Sequence, residues 1–181
     1  MPEVALFGGS FDPPHIGHYL AAAYVLATEP VDELWLVPVF QHPFAKPLKE
    51  GYEHRVALCE HMAGLLPRAR VSRAEQESGK ARTVDLLEWL REAHPRTRFA
   101  LVLGTDLDGE KPQWKNFARI EELARIVTVQ RAGHDRPTAA GPPIPEVSST
   151  QVRALLASGG NVSHLVPRPV LQAIRAAGTY R

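Results

Sequence analysis

Residues 4–18 read VALFGGSFDPPHIGH: an apolar run, Val4 to Phe7, a Gly8-Gly9 turn, and two histidines three apart, His15 and His18, where a helical pattern begins. Strand, glycine turn and helix in that order set backbone N–H donors and the positive end of a helix dipole in front of an anion. Pro14 suits a first helical turn, because its missing N–H has no intrahelical partner there. A start near Pro14 puts His15 and His18 on adjacent turns of one face. The zinc-protease pattern needs His-Glu-x-x-His, and neither that spacing nor the glutamate is present. Taken singly, each histidine passes for a capping or packing residue. With Gly8, Gly9, Ser10 and Asp12 around them, the two together read as a phosphate-binding, nucleotide-type site.

Outward from this segment, short apolar runs alternate with helical patterns. Residues 33–37, 69–72, 99–103 and 126–130 read as further strands, rich in Val, Leu and Ile. Residues 16–27, 53–66, 84–93 and 120–124 read as helices. In the second of these, Val56, Cys59, Met62, Ala63 and Leu66 recur at helical spacing, a core stripe that leaves Cys59 and Met62 no catalytic role. The alternation predicts an α/β fold, a Rossmann-like doubly wound, mostly parallel sheet with helices on both faces, in a single domain over residues 1–181. Ligands bind such sheets beyond the C-terminal strand ends, where the Gly8 to His18 segment sits.

Composition is that of a soluble globular protein and agrees with one compact enzyme domain. The chain has 181 residues, 44% hydrophobic and 23% charged, enough to bury a sizeable core. Net charge is +1, and the cluster Arg68, Arg70, Arg73, Lys80 and Arg82 is interrupted by acids and apolar residues, so it reads as a solvated face and no nucleic-acid partner is expected. The lone Cys59 excludes an intramolecular disulfide and a multi-cysteine zinc site, which fits a reducing cytoplasm. The N-terminus lacks a basic flank and a long apolar run, so neither a signal peptide nor a membrane span is expected.

Two loops interrupt the rhythm. Residues 40–51, FQHPFAKPLKEG, carry Lys46 and Lys49 near a strand end. Residues 132–145 are rich in Pro and Gly, ahead of a short strand expected at 144–147. Beyond them Val147-Ser148-Ser149-Thr150-Gln151-Val152-Arg153 opens an apolar helical pattern that ends near Gly159-Gly160. Hydroxyls there would cap the helix, and the same hydroxyls and N–H groups suit phosphate oxygens, with Arg153 adding a planar cationic fork.

GGSFDPPHIGH at 8–18 together with VSSTQVR at 147–153 resembles the paired signature of the nucleotidyltransferase superfamily with His-x-Gly-His. Among its members the chain is most similar to bacterial nicotinate mononucleotide adenylyltransferases. Further similarity lies in Leu103-Gly104-Thr105-Asp106, in Trp114, and in the ending from Leu165-Val166-Pro167 to Gly178-Thr179-Tyr180-Arg181. The resemblance implies transfer of AMP from ATP to nicotinate mononucleotide, giving deamido-NAD and pyrophosphate. It puts His15, His18, Lys46 and Arg153 in catalytic positions, and Gly8, Gly9, Ser10, Phe11, Gly17, Gly104, Asp106, Ser148, Ser149 and Thr150 about the ATP. It further implies a magnesium ion held mainly through ATP phosphates. Thr83 and nearby N–H groups would receive the pyridine carboxylate, and Trp114 would stack on the ring, although Trp114 reads equally as a core aromatic and Thr83 as a helix cap.

The chain departs from the family pattern in two places. Val39 to Lys46 reads VFQHPFAK where an asparagine and a Pro-Pro-His-Lys-like run are usual. Ala81-Arg82 stands where a tyrosine precedes the threonine, and an Arg82 facing the ligand would favour an acidic acceptor. Nicotinamide mononucleotide or phosphopantetheine as acceptor, or a nucleotide-binding sensor without turnover, remain open from the sequence.

Overall fold

The computed structural model describes residues 1–41, 47–107, 114–133 and 141–181. Five parallel strands, β1 (Glu3–Gly9), β2 (Glu33–Pro38), β3 (Ala69–Val71), β4 (Arg98–Gly104) and β5 (Arg125–Val129), form one sheet in the order β3-β2-β1-β4-β5. From β1 the chain builds outward through α1 (Ile16–Thr28) and α2 (Tyr52–Ala63) to β3. It then returns through α3 (Ala74–Ser78) and α4 (Thr83–Ala93) to the other side of β1. The crevice above the C-terminal ends of β1 and β4 is therefore the topological switch point, where open parallel sheets bind ligands. α5 (Phe117–Leu123), α6 (Ser149–Ala157) and α7 (Arg168–Ala177) complete the layers.

Strand periodicity divides the core in two. Ala5, Leu34, Leu36, Ala100 and Val102 pack with α1, α2 and α7 on one face. Val4, Leu6, Trp35, Val37, Phe99 and Leu101 pack with α3, α4 and α5 on the other. Ala5 and Ala100 are register partners and fully buried, so two small side chains let Ala21 and Ala22 of α1 come close to the sheet. The α/β doubly wound expectation holds, with every strand parallel.

Several differences have local causes. The helix expected over 53–66 stops at Ala63, just ahead of Pro67, although Leu66 still reaches the core. The helix expected at 120–124 starts at Phe117, because Asn116 in the left-handed region caps it by accepting from the Arg119 N–H at 3.3 Å. The expected strand at 144–147 is a single bridge, Arg131 to Ile144, since Pro142, Pro143 and Pro145 have no N–H to extend a ladder. α3 and α7 were not foreseen; α7 carries Val170, Leu171 and Ile174 into the core and ends at Gly178 with φ 67°. The arginine cluster faces solvent as expected, with Arg68, Arg70, Lys80 and Arg82 exposed, and three of its members are also tied down: Arg68 donates to Val31 O and Leu26 O, Arg70 lies 3.8 Å over the Trp35 ring, and Arg73 pairs with Glu53. Among the described residues no helix is long and apolar enough to cross a membrane.

Candidate active site

β1 ends in Gly8 and Gly9, and the next four residues fold tightly back toward α1. Phe11 takes φ 45° and buries its ring completely, edge-on to Phe7 and His18 with centroids at 5.8 Å and 4.8 Å. Its side chain is thus core, and only its backbone is left to meet a nucleotide. His15 precedes the first residue of α1, and its N–H donates to His18 Nδ1 at 3.1 Å. The two imidazoles stack at 3.7 Å. Gly17 makes this stack possible, because a Cβ there would lie 3.1 Å from His15 Nδ1. At Gly8, by contrast, a Cβ would meet nothing within 4 Å.

Electrostatics fix the protonation of the pair. Burial, with the nearby Arg131 guanidinium acting in the same direction, pushes His15 down to about 3. His18 is held well below the usual imidazole range by burial first, then by His15 and Arg131. Both rings are neutral at neutral pH. Because His18 Nδ1 accepts from His15, the His18 proton resides on Nε2, where it serves as a hydrogen-bond donor.

The α6 N-terminus docks against this turn. Ser149 Oγ donates to Pro13 O at 2.8 Å, and Arg153 donates to Asp12 O at 2.6 Å and to Thr150 Oγ1 at 3.2 Å. Ser148 caps α6 by accepting from the Gln151 N–H at 3.1 Å. Ser148 and Thr150 thus keep their own protons to donate, whereas the Ser149 proton is engaged by Pro13. Beneath, the buried Asp12 carboxylate accepts from Lys49 N–H (2.6 Å), Glu50 N–H (3.2 Å) and Tyr180 Oη (2.9 Å). Burial and the adjacent Asp12 hold the Tyr180 phenol well above its usual range, so it stays a donor.

A cleft of about 560 Å³ runs from Gly8, Gly9 and Ser10 past Gly104 to Arg82, Thr83 and Trp114. Trp114 is half-buried against the α4–α5 core, edge-on to Phe117 at 6.1 Å, so it serves core and cleft together. Thr83 does not cap α4; it is the first residue of that helix, and Arg82, exposed at the N-cap position, makes no side-chain cap bond. The space over Gly104 is filled by protein, since a Cβ there would collide with the Asp106 carboxylate and lie 3.2 Å from Arg131 Cγ. Asp106 itself is exposed. Lys46 lies outside the described residues. Cys59 is fully buried, which raises its thiol well above the usual range and keeps it inert.

Three site residues escaped the sequence reading. Arg131 stands just past the end of β5, its N–H bound to Thr105 Oγ1 (2.9 Å) and its guanidinium to Val147 O (3.1 Å); a cation directly after a strand was the available signal. Arg55, only 1% exposed, donates to Ser10 O (2.8 Å), Val39 O (2.7 Å) and Glu50 O (3.2 Å). Glu75 lines the cleft and accepts from the Phe40 N–H at 2.8 Å. Neither gave a signal, since one lies on a core helix and the other on an unforeseen one.

Burial pushes the Glu75 carboxyl up to about 7, against the opposing Phe40 N–H and Arg55. An acid whose folded value is raised is most favourable to folding while protonated, and that contribution fades as pH climbs from the unfolded value through about 7. Glu75→Gln keeps the acceptor without the charge. Its stability relative to the parent is expected to rise by about 2 kcal/mol between about pH 5.5 and about pH 8, as read by denaturant melts. A pH-independent difference would show that the Glu75 carboxyl titrates as in the unfolded chain.

Residues 6–155 match the family described as cytidylyltransferase-like. A Myxococcus xanthus protein named "probable nicotinate-nucleotide adenylyltransferase" is 49% identical over 98% of this chain and 94% of its own length. One of the same name from Anaeromyxobacter dehalogenans is 43% identical over 99% and 97%. In structure, the Plasmodium falciparum nicotinic acid mononucleotide adenylyltransferase complexed with NaAD superposes with a TM-score of 0.83 at 19% identity, covering 99% of this chain and 98% of that one, a likeness of fold.

Proposed function

Since the chain belongs to the nicotinate-nucleotide adenylyltransferase family, within the cytidylyltransferase-like proteins, we infer that it transfers AMP from ATP to nicotinate mononucleotide in NAD biosynthesis. The observation that carries this is one continuous cleft lined by the C-terminal end of β1, where Gly8 and Gly9 belong to the strand and not to the turn expected there, and Ser10, and by an uncapped helix start, Arg82 and Trp114. A phosphate oxygen of the mononucleotide attacks the α-phosphorus of ATP, the α–β phosphoanhydride bond breaks, and pyrophosphate leaves with the electron pair. The attacking oxygen is already anionic near neutral pH, so no side-chain nucleophile and no strong base are required. Catalysis then rests on positioning and on donors aimed at the developing charge.

In this reading His18 Nε2–H donates to the α-phosphate region, and His15 orients His18 through its N–H. Arg131 and Arg153 neutralise phosphate charge, and Ser148 and Thr150 offer hydroxyl protons to the outer phosphates. Ser10 and N–H groups just past the end of β1 hold further oxygens. Neutral imidazoles suit this work, since they donate without holding pyrophosphate as tightly as fixed cations would.

Among the described residues no cluster of three His, Cys, Asp or Glu side chains is built to hold a metal. A magnesium ion bound with ATP would be held mainly by phosphate oxygens and water, and Asp106, exposed just past the end of β4, could bind it or its water. When bound it would screen the charge of the triphosphate. Consumption of ATP and a lone buried thiol fit a reducing cytoplasm.

At the other end, Arg82 stands at the rim where an anionic pyridine carboxylate would lie over the start of α4. Arg82→Ala is expected to lower the preference for nicotinate over nicotinamide mononucleotide roughly tenfold, the scale of one half-exposed charged hydrogen bond. Unchanged selectivity would turn Arg82 toward solvent. The whole reading is tested by pyrophosphate release from ATP and magnesium with nicotinate mononucleotide, nicotinamide mononucleotide and phosphopantetheine supplied separately. Turnover with the nicotinate compound is expected. Turnover with another acceptor alone would keep the chemistry and change the substrate, and ATP binding without turnover would make the chain a nucleotide sensor.

A further inference from the structure

The Val39–Phe40 peptide unit is held at both of its polar atoms by ionisable side chains from different helices. Its carbonyl accepts from Arg55 Nη2 of α2 at 2.7 Å, and its N–H donates to Glu75 Oε2 of α3 at 2.8 Å. The same guanidinium reaches Ser10 O of the phosphate-type turn with Nη1 (2.8 Å) and Glu50 O with Nε (3.2 Å). One buried arginine thereby ties three segments together: the turn after β1, the chain leaving β2, and the chain entering α2. The Val39 N–H completes the link by donating to Gly9 O at 2.9 Å. Glu75 borders the cleft beside Val39, Arg82 and Thr83.

Such an arrangement is costly. A guanidinium only 1% exposed has left water, and replacing a buried charged cluster with apolar side chains of similar volume is commonly neutral or stabilising for a fold. The geometry supplies what apolar packing does not, a fixed distance and angle between the donor-phosphate turn and the wall of the acceptor end. In-line transfer depends on that relation, since a displacement of about 1 Å in the reacting groups costs on the order of a hundredfold in rate.

Resting on the adenylyl-transfer reading, we propose that Arg55 and Glu75 are positioning residues for the reaction, a clamp on the Val39–Phe40 peptide that sets the separation of the two phosphates. Arg55 acts through Ser10 and Val39, and Glu75 acts through Phe40. The groups facing the Glu75 carboxyl are the Phe40 N–H, Arg55 and Tyr52, the last two both from α2.

The test uses Glu75→Leu, which removes the acceptor while filling the space, beside Glu75→Gln, whose amide oxygen still accepts from Phe40. For Glu75→Leu, kcat is expected to fall roughly 10- to 100-fold while the ATP Kd stays within about threefold, and Glu75→Gln is expected to recover most of the rate. Amide hydrogen exchange at Phe40, followed by NMR, is expected to speed up about tenfold or more in Glu75→Leu and to return toward the parent value in Glu75→Gln. Arg55→Lys serves as a second variant, because one ammonium cannot span three carbonyls, and a fall in kcat with retained ATP affinity is expected there too. Parent turnover together with a folded Glu75→Leu that keeps its kcat within about threefold would overturn the positioning role alone. Equal losses in Glu75→Leu and Glu75→Gln would overturn it as well. Absence of parent turnover with any acceptor would overturn it together with the functional reading beneath it.

Discussion

His18→Ala is expected to lower kcat for pyrophosphate release by about two to three orders of magnitude, the usual consequence of removing one preorganised donor from a charge-developing transition state. Two features make His18 the residue with the largest effect. Its Nε2 proton is fixed by the hydrogen bond that Nδ1 accepts from the His15 N–H, so the donor needs no rearrangement when charge builds. Its ring is wedged against Phe11 and His15 at centroid distances of 4.8 Å and 3.7 Å, so the direction of that donor is fixed too. ATP affinity, measured by calorimetry, should change far less than kcat, because a donor aimed at developing charge contributes little to the ground state. His18→Asn, which can both accept from His15 and donate, should recover part of the loss. A folded His18→Ala protein that retains most of its rate would remove His18 from this role.

Asp12→Ala is expected to be the most destabilising single change in the site, at about 3–5 kcal/mol, or roughly 10 °C in Tm for a chain of this size. The carboxylate is 2% exposed and is the shared acceptor for two backbone N–H groups and the Tyr180 hydroxyl, with the Arg153 guanidinium 4.0 Å away. Its removal strands three donors and leaves Arg153 without its countercharge. Tyr180→Phe removes one of those bonds and should cost about 1–2 kcal/mol. The double variant should cost less than the sum, since both changes remove the same contact. Strict additivity in thermal melts would place the two residues in separate networks.

How much of this was legible depended on the range of the forces involved. The five strands and most of the helices, α3 and α7 excepted, were readable because each is a local pattern, a run of β-branched and aliphatic residues or a stripe such as Val56, Cys59 and Met62. α3 was missed because its five residues, AEQES, carry almost no apolar stripe. It exists to turn the chain between β3 and α4, ending at Gly79 with φ 66°. His15 and His18 were visible because they sit at a helix start with recognisable punctuation, and Arg153 because it follows the Ser148-Ser149-Thr150 cap on α6. Arg55 lay hidden on a core-facing helix, where a long cation at one position looks like any residue at the edge of a stripe.

The sequence by itself determined the parallel doubly wound class and the residues of two helix starts, at 15–18 and 148–150, whose contact only the folded chain shows. All of these follow from nearest-neighbour chemistry: capping, turn preference and periodicity. Tertiary structure alone decided what those residues do with their protons. Stacking against His15 and burial near Arg131 make His18 a neutral donor on Nε2. Pro13 engages the hydroxyl of Ser149, and Asp106 fills the space over Gly104. The clamp of Arg55 and Glu75 joins residues from 10 to 75, and the Asp12–Tyr180 bond spans 168 positions. Desolvation and hydrogen-bond partnership depend on which atoms meet in space, and for these groups the partners come from distant parts of the chain.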